Sequence, residues 1–329
     1  MRIAIDAMGG DHAPRANVEG ALLAAREWND IEIILVGDEA QILPFLPDKP
    51  SNIHIHHTNE VILADDEPVK AVRRKKDASM VVAGRLVKEH KADAMISSGN
   101  TGALMATGLL IIGRIEGVER PALAPMLPSS DGRGVLALDL GANMDAEPQH
   151  LVQYAIMGRI YRELVHGMKN PRIALLNVGT EEMKGNELTK AVFPLLQQAP
   201  IHFIGNVEAR DVLEGNCDVL ICDAFVGNIL LKAFEGASST IFSALKAEFT
   251  RNFLTKIAAA IVSSGLRKFK NKMDYREHGG ALLLGVNGVC IKSHGSSDAT
   301  AIKSSVRQAR DALKVGDLIG AISVEINRK

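Results

Sequence analysis

PRIALLNVGTEEMKGNELTK, residues 171–190, decides how the rest of the chain is read. Ile173-Ala174-Leu175-Leu176 is a short apolar run, the pattern of a buried strand. Asn177, Gly179, Thr180, Glu181 and Glu182 follow as a polar loop, and a helical segment begins near Glu187. Strand, loop and helix in quick succession form the unit of an open α/β sheet, where ligands bind at the carboxyl ends of strands. Lys184 therefore falls near a site, as a mobile point charge suited to phosphate or a developing oxyanion. A solvated lysine paired with Glu181 or Glu182 fits the same segment equally well.

The same unit recurs outward from there. Arg2–Asp6 reads as a strand leading into MGGDHAP, residues 8–14, and then a helix over 14–26. That loop lacks the full G-x-G-x-x-G spacing of a dinucleotide site. Asp6, Asp11 and His12 can hold a metal, but such groups more often brace a loop. Strands follow at 31–37 and Ile53–His57, with a helix over 39–46 between them. His54, His56 and His57 read as surface residues of an edge strand. Helices then carry the basic run Lys70, Arg73, Arg74, Lys75 and Lys76, and residues 79–91. Ala94–Ser97 is a strand running into SSGNTGALMATG, residues 97–108. Ser98, Asn100 and Thr101 are small donors placed before a helix, where exposed amides can hold an anion. An ordinary capped turn is the plainer alternative.

Residues 134–139 form another buried strand, ending at Asp139 and Asn143. A helix over 150–164 follows. After a strand at 201–204 and a loop at Gly205-Asn206, residues 218–222 make a strand ending in Asp223, with a helix over 224–235. Residues 283–291 suit a core hairpin. His294-Gly295-Ser296-Ser297-Asp298 is a third small-donor loop before a helix, in which His294 is an acid/base candidate or a structural histidine. Residues 316–329 read as a closing amphipathic helix.

Composition agrees with this reading. The 329 residues are 47% hydrophobic but only 4% aromatic, so the core is aliphatic, as in α/β folds. Such a length suits one broad domain or two lobes. A net charge of -1 gives no global attraction for nucleic acid. Cys217, Cys222 and Cys290 have neither disulfide nor zinc spacing, which suits a reducing cytoplasm. The amino terminus lacks a signal-peptide pattern, and no uninterrupted apolar run of about 18 residues spans a bilayer.

Residues 243–276 stand apart. Leu254, Ile257, Ala258, Ile261 and Val262 recur at helical spacing. Arg251, Lys256, Arg267, Lys268, Lys270, Lys272 and Arg276 surround or follow them. Such a helix can lie on an anionic membrane or against a partner. A core-facing helix followed by a basic loop is the alternative, and exposure of the stripe decides between them.

Taken together, the loops suit a small oxyanion better than a large aromatic cofactor. The nucleotide-triphosphate motif G-x-x-x-x-G-K-[ST] and the hydrolase elbow G-x-S-x-G are absent. Orthophosphate is partly dianionic near neutral pH and can serve as its own nucleophile, given orientation and oxyanion stabilisation.

Six segments carry a resemblance: IAIDAMGGDHAP (3–14), ISSGNTGALMATG (96–108), LDLGAN (138–143), LLNVGTEEMKGN (175–186), CDAFVGNILLK (222–232) and LLGVNGVCIKSHGSS (283–297). In these the chain resembles the bacterial phosphate acyltransferase family (PlsX), the acyl-carrier-protein–phosphate transacylases of phospholipid synthesis. The resemblance implies a three-layer α/β/α sandwich similar to isocitrate/isopropylmalate dehydrogenases and phosphotransacetylases. It implies a homodimer, peripheral to the inner face of the cell membrane. The reaction implied converts long-chain acyl carrier protein and phosphate to acyl phosphate, which a membrane glycerol-3-phosphate acyltransferase consumes. No metal or organic cofactor is expected. Lys184 would neutralise an anion, and Ser98, Asn100 and Thr101 would hold one. Asn143, Asn177, Asp223 and His294 are second-rank candidates. Ala224 stands where the family usually has glycine, and Leu282 where it has proline. The rival readings are a phosphotransacetylase acting on acyl coenzyme A and a non-catalytic carrier-protein scaffold at the membrane.

Overall fold

Apolar runs divided by glycine- and aspartate-bearing loops pair into two sheets in the computed structural model, which describes residues 1–273 and 279–328. The strands are β1 (Arg2–Asp6), β2 (Glu32–Gly37), β3 (Ile53–His57), β4 (Ala94–Ser97), β5 (Ala122–Ala124), β6 (Met126–Leu127), β7 (Val135–Leu138), β8 (Arg172–Asn177), β9 (His202–Glu208), β10 (Val219–Ile221), β11 (Ala281–Leu284) and β12 (Val289–Lys292). The first sheet has the order β3-β2-β1-β4-β12-β11-β5, and the second β6-β7-β10-β8-β9. β1 to β4 and β12 are parallel, whereas β11 runs against both its neighbours. In the second sheet β7, β10, β8 and β9 are parallel and β6 is antiparallel.

Side-chain alternation explains the layers, because successive residues of a strand face opposite sides. Ile3 and Ile5 pack with the helices Arg15–Glu27 and Ala299–Lys314. Ala4 faces the other way, with Met95 and Cys290, onto the helices Ser79–Lys88 and Thr101–Thr107. The second sheet repeats this: Leu136 and Leu138 share a cluster with Tyr154 and Met157 of the helix Pro148–His166. Val135 and Ala137 join Leu220 and Cys222 on the opposite face. One aliphatic cluster includes strands of both sheets, from Ile3 and Ile96 to Leu175 and Ile221.

Only Pro125 separates β5 from β6, so the chain leaves one sheet and enters the other within a residue. The Pro125 carbonyl accepts Ala137 N–H and the Leu123 carbonyl accepts Leu140 N–H, tying the sheets together. Leu282 sits mid-strand, opposite Ile291 and Ala124.

Three elements differ from the reading of the sequence. β9 continues through Gly205 and Asn206, where a loop is expected; an extra residue opposite Ile173–Leu175 makes a bulge, with Gly205 at φ 98°. The helix over 39–46 breaks at Pro44 into Glu39–Ile42 and a 3-10 turn at Leu43–Phe45. The helix after β10 spans Ala224–Thr250 rather than stopping near Glu235, and packs against the helix Phe253–Met273. β3 lies at a sheet edge with His54, His56 and His57 exposed. No helix among the described residues is long and apolar enough to cross a membrane.

Candidate functional site

Both sheets direct the carboxyl ends of parallel strands at one cavity of about 300 Å³. Thr101 reaches it from the first turn of the helix after β4, and Lys292, His294 and Ser297 from the end of β12 and its loop. Leu140, Gly141 and Met144 come from the loop after β7, and Leu231, Lys232 and Glu235 from the helix after β10. One wall is apolar, through Leu123, Met126 and Leu140, and the other carries the charges.

The first-sheet loops are locked to one another. Asp6 is buried at the end of β1 and accepts the hydroxyls of Ser79 and Ser97, both at 2.6 Å. Ser97 Oγ in turn accepts Gly99 N–H. Gly9 and Gly99 pass backbone against backbone; a Cβ on Gly9 would lie 2.8 Å from Gly99 N. Asp11 N–H donates to the Gly295 carbonyl at 2.8 Å, joining the loop after β1 to that after β12. Asp6 thus serves loop architecture through its carboxylate, and Asp11 through its backbone N–H. Among the described residues no group of three or more His, Cys, Asp and Glu is arranged to hold a metal ion.

On the second sheet Asp139 is the organiser. It is fully buried and accepts N–H groups of Leu123, Gly141, Ala142 and Asn143, and the Asn143 side-chain amide. Burial pushes its carboxyl up, against these donors, which favour the ionised form.

The charged wall holds an unusual lysine. Lys292 is 8% exposed, and its Nζ donates to the carbonyl of Ser293. Burial pushes its pKa down to about 8, against the pull of Asp6 and Asp11, and Lys232 adds to the lowering. His294 is also pushed down by burial, so its imidazole is mainly neutral near pH 7. Its Nδ1 contacts Ser296 Oγ and accepts Ser296 N–H. Lys232 pairs with Glu235 at 2.8 Å, while the other oxygen of Glu235, Oε1, is buried and accepts no hydrogen bond among the described residues.

Of the residues singled out in the sequence, Thr101 and His294 line this cavity. Ser98 is buried, with Oγ 3.5 Å from Asn17 Oδ1. Asn100 caps the helix Thr101–Thr107 by accepting Ala103 N–H, and its amide donates to the carbonyls of Ala64 and Asp66. The Asn143 amide faces the Pro121 carbonyl, Asp139 and Tyr154 Oη, three acceptors for two protons. In this arrangement both side-chain amides donate within the protein and brace their loops. Asp223 caps the helix Ala224–Thr250 through Val226 N–H, and Ala224 begins that helix with N–H to the Asn143 carbonyl.

Asn177 ends β8, one strand beyond β10, Lys184 lies in the loop that follows, and neither lines the cavity. Asn177 donates its amide to the Lys184 carbonyl at 3.1 Å and so positions that loop. Lys184 is exposed. The sequence reading missed Lys232, Glu235 and Lys292. Lys292 had a signal: a lysine closing the apolar run VCI is expected to be either buried or aimed into a site.

Leu254, Ile257, Ala258, Ile261 and Val262 are all exposed, with Leu254 at 76% and Ile261 at 78%. The core-facing alternative for this stripe is therefore set aside. Arg251 pairs with Glu248 at 3.1 Å. The side chains of Arg267, Lys268, Lys270 and Lys272, and Arg276 altogether, lie outside the described residues.

Two α/β sheets meet at their strand ends around a partly apolar, partly basic cavity, and solved phosphotransacetylases share this fold. A phosphotransacetylase from Streptococcus pyogenes superposes with a TM-score of 0.60 over 99% of this chain and 94% of that one, at 17% identity. A branched-chain phosphotransacylase from Enterococcus faecalis V583 gives 0.60 over 96% and 99%, at 16% identity. The family described as "Fatty acid synthesis protein" matches residues 1–317. A phosphate acyltransferase of Brevibacillus brevis is 62% identical over 310 residues, 94% of this chain and 92% of that one. Another, of Geobacillus thermodenitrificans, is 56% identical over 328 residues, 100% and 99% of the two chains. The chain belongs to this family, the phosphate acyltransferases.

Proposed function

We propose that the chain moves a long-chain acyl group from acyl carrier protein to inorganic phosphate, giving acyl phosphate for phospholipid synthesis. The observation that carries this is the cavity itself, where an apolar wall suited to an acyl chain faces Lys232, Lys292 and His294. Phosphate attacks the thioester carbonyl directly. Lys232 and Lys184 neutralise the anions, and backbone amides at Thr101 and in the Ser98–Thr101 turn hold one of them. Asp223 and Asn177 are positioning residues. The test is purified protein with palmitoyl carrier protein and phosphate, read for palmitoyl phosphate, alongside palmitoyl coenzyme A. Product from the coenzyme A thioester alone would favour the phosphotransacetylase reading; no product from either would favour the scaffold.

Carrier proteins are typically acidic, so basic surface should steer them. Lys70 and Lys75 are engaged with Glu67 and Asp66, whereas Arg73, Arg74 and Lys76 are exposed. Raising salt should therefore increase the KM for acyl carrier protein more than that for phosphate, because exposed charges are screened within about 10 Å at 0.1 M salt. Equal increases would remove the steering role.

The exposed stripe from Leu254 to Val262 is the surface we assign to an anionic membrane, placing a homodimeric enzyme beside the membrane acyltransferase that takes its product. Leu254→Glu with Ile261→Glu should abolish co-flotation with anionic vesicles while the dimer mass stays unchanged. Loss of the dimer with flotation retained would give the stripe to self-association instead.

A further inference from the structure

The departing half of the reaction needs a proton that the loops described so far do not supply. When the tetrahedral adduct collapses, the carbon–sulfur bond breaks and the electron pair leaves on sulfur. An alkyl thiolate is a basic leaving group, and an acid beside it lowers the barrier. The cavity has three cationic acid candidates in its lining, His294, Lys292 and Lys232, and the last is held in an ion pair with Glu235 at 2.8 Å. Burial leaves His294 mainly neutral near pH 7, so it holds little proton to give.

We propose that Lys292 is the proton donor to the departing thiolate, an inference that rests on the acyl-transfer reading above. Its position supports this on geometry. The ammonium stands at the end of β12, inside the cavity wall, with the carbonyl of Ser293 as its hydrogen-bond acceptor rather than a carboxylate. An ammonium in an ion pair is held charged; among the described residues Lys292 makes no ion pair. The groups acting on it are Asp6 and Asp11 from β1 and its loop, and Lys232 from the helix after β10. Glu235 of that helix is occupied by Lys232. The outcome is a lysine at about 8, near that of an ordinary thiol and low enough to exchange protons at working pH.

The step balances without another reactant. Hydrogen phosphate dianion attacks carbon, forming the carbon–oxygen bond and leaving the oxyanion. The carbon–sulfur bond then breaks, and the Lys292 ammonium protonates sulfur to give the thiol. The neutral amine recovers a proton from the phosphate hydroxyl as acyl phosphate leaves as its dianion. The proton that arrives on phosphate departs on the thiol.

Lys292→Arg is the decisive variant, because a guanidinium keeps the charge but cannot release a proton in this range. With acyl carrier protein as substrate, wild-type kcat should fall as pH rises through about 8, the lysine value, since the acid must be protonated. Lys292→Arg should be slower by about 10²–10⁴-fold and lose that descending limb. With a palmitoyl aryl thioester, whose thiolate leaves without help, the variant should recover most of the wild-type rate. The ratio of the two rates in one sample is independent of how much protein is folded, so poor folding cannot imitate the result. Lys292→Met should show the same selective rescue. Equal loss on both thioesters, or a descending limb retained in Lys292→Arg, would overturn the assignment. Absence of acyl phosphate formation by the wild type would instead overturn the acyl-transfer reading.

Discussion

Asp139→Ala lowers unfolding free energy by about 3–5 kcal/mol, the scale of an uncompensated buried polar network. Its carboxylate accepts Leu123 N–H at 3.1 Å, Gly141 at 3.1 Å, Ala142 at 2.9 Å and Asn143 at 2.7 Å, with the Asn143 amide at 3.0 Å. Each donor left unpaired costs about 1–3 kcal/mol, less where cavity water can replace the oxygen. Leu123 belongs to β5 of the first sheet and Asp139 follows β7 of the second, so the same side chain fastens the sheets beside the cavity. The loss should therefore appear in activity as well as in denaturant midpoint. Asp139→Asn keeps the shape but turns an amide toward N–H donors, and should fall between wild type and alanine. Urea unfolding of the three proteins checks the order. A loss below about 1 kcal/mol in Asp139→Ala would mean that the contacts do not hold the loop.

Much of this architecture is legible because buried parallel strands are apolar on both faces. β1, β4, β8 and β10 each appear as a short unbroken run followed by a loop and a helix. The division into two sheets is not legible, since it turns on β5 and β6, three and two residues long, around Pro125. Such pieces carry no periodicity, and their partners are distant in sequence. The site was half visible for a chemical reason. Asn100, Asn143 and Asp223 are residue types that bind anions or cap helices, and sequence leaves both roles open. Only the hydrogen bonds show that Asn100 and Asn143 have given their amide protons to the fold. The stripe at Leu254 to Val262 poses the same kind of ambiguity, because core helices and interfacial helices share one periodicity; its exposure excludes the core one.

Lys184→Ala should reduce turnover by about 100-fold or more with an unchanged thermal midpoint. The expectation of unchanged stability comes from the contacts. The plain alternative for this lysine was pairing with Glu181 or Glu182, yet no ion pair or side-chain hydrogen bond of Lys184 is present among the described residues. Its stem lies over Gly179, and its carbonyl, rather than its ammonium, is what Asn177 holds. An alanine there removes a charge and little packing. The expectation for turnover comes from position. The loop leaves β8 at the same end of the second sheet from which β7 and β10 deliver the cavity's lining, with Ile221 of β10 level with both Leu138 and Leu175. An exposed, unpaired ammonium at that edge can turn toward an arriving dianion, whereas Lys232 must first give up Glu235. Steady-state kinetics at varied phosphate distinguishes the two. Loss confined to the KM for phosphate would make Lys184 a binding charge, and a loss in kcat would place it on the oxyanion. Near-normal kinetics in both would leave anion neutralisation to Lys232 and Lys292.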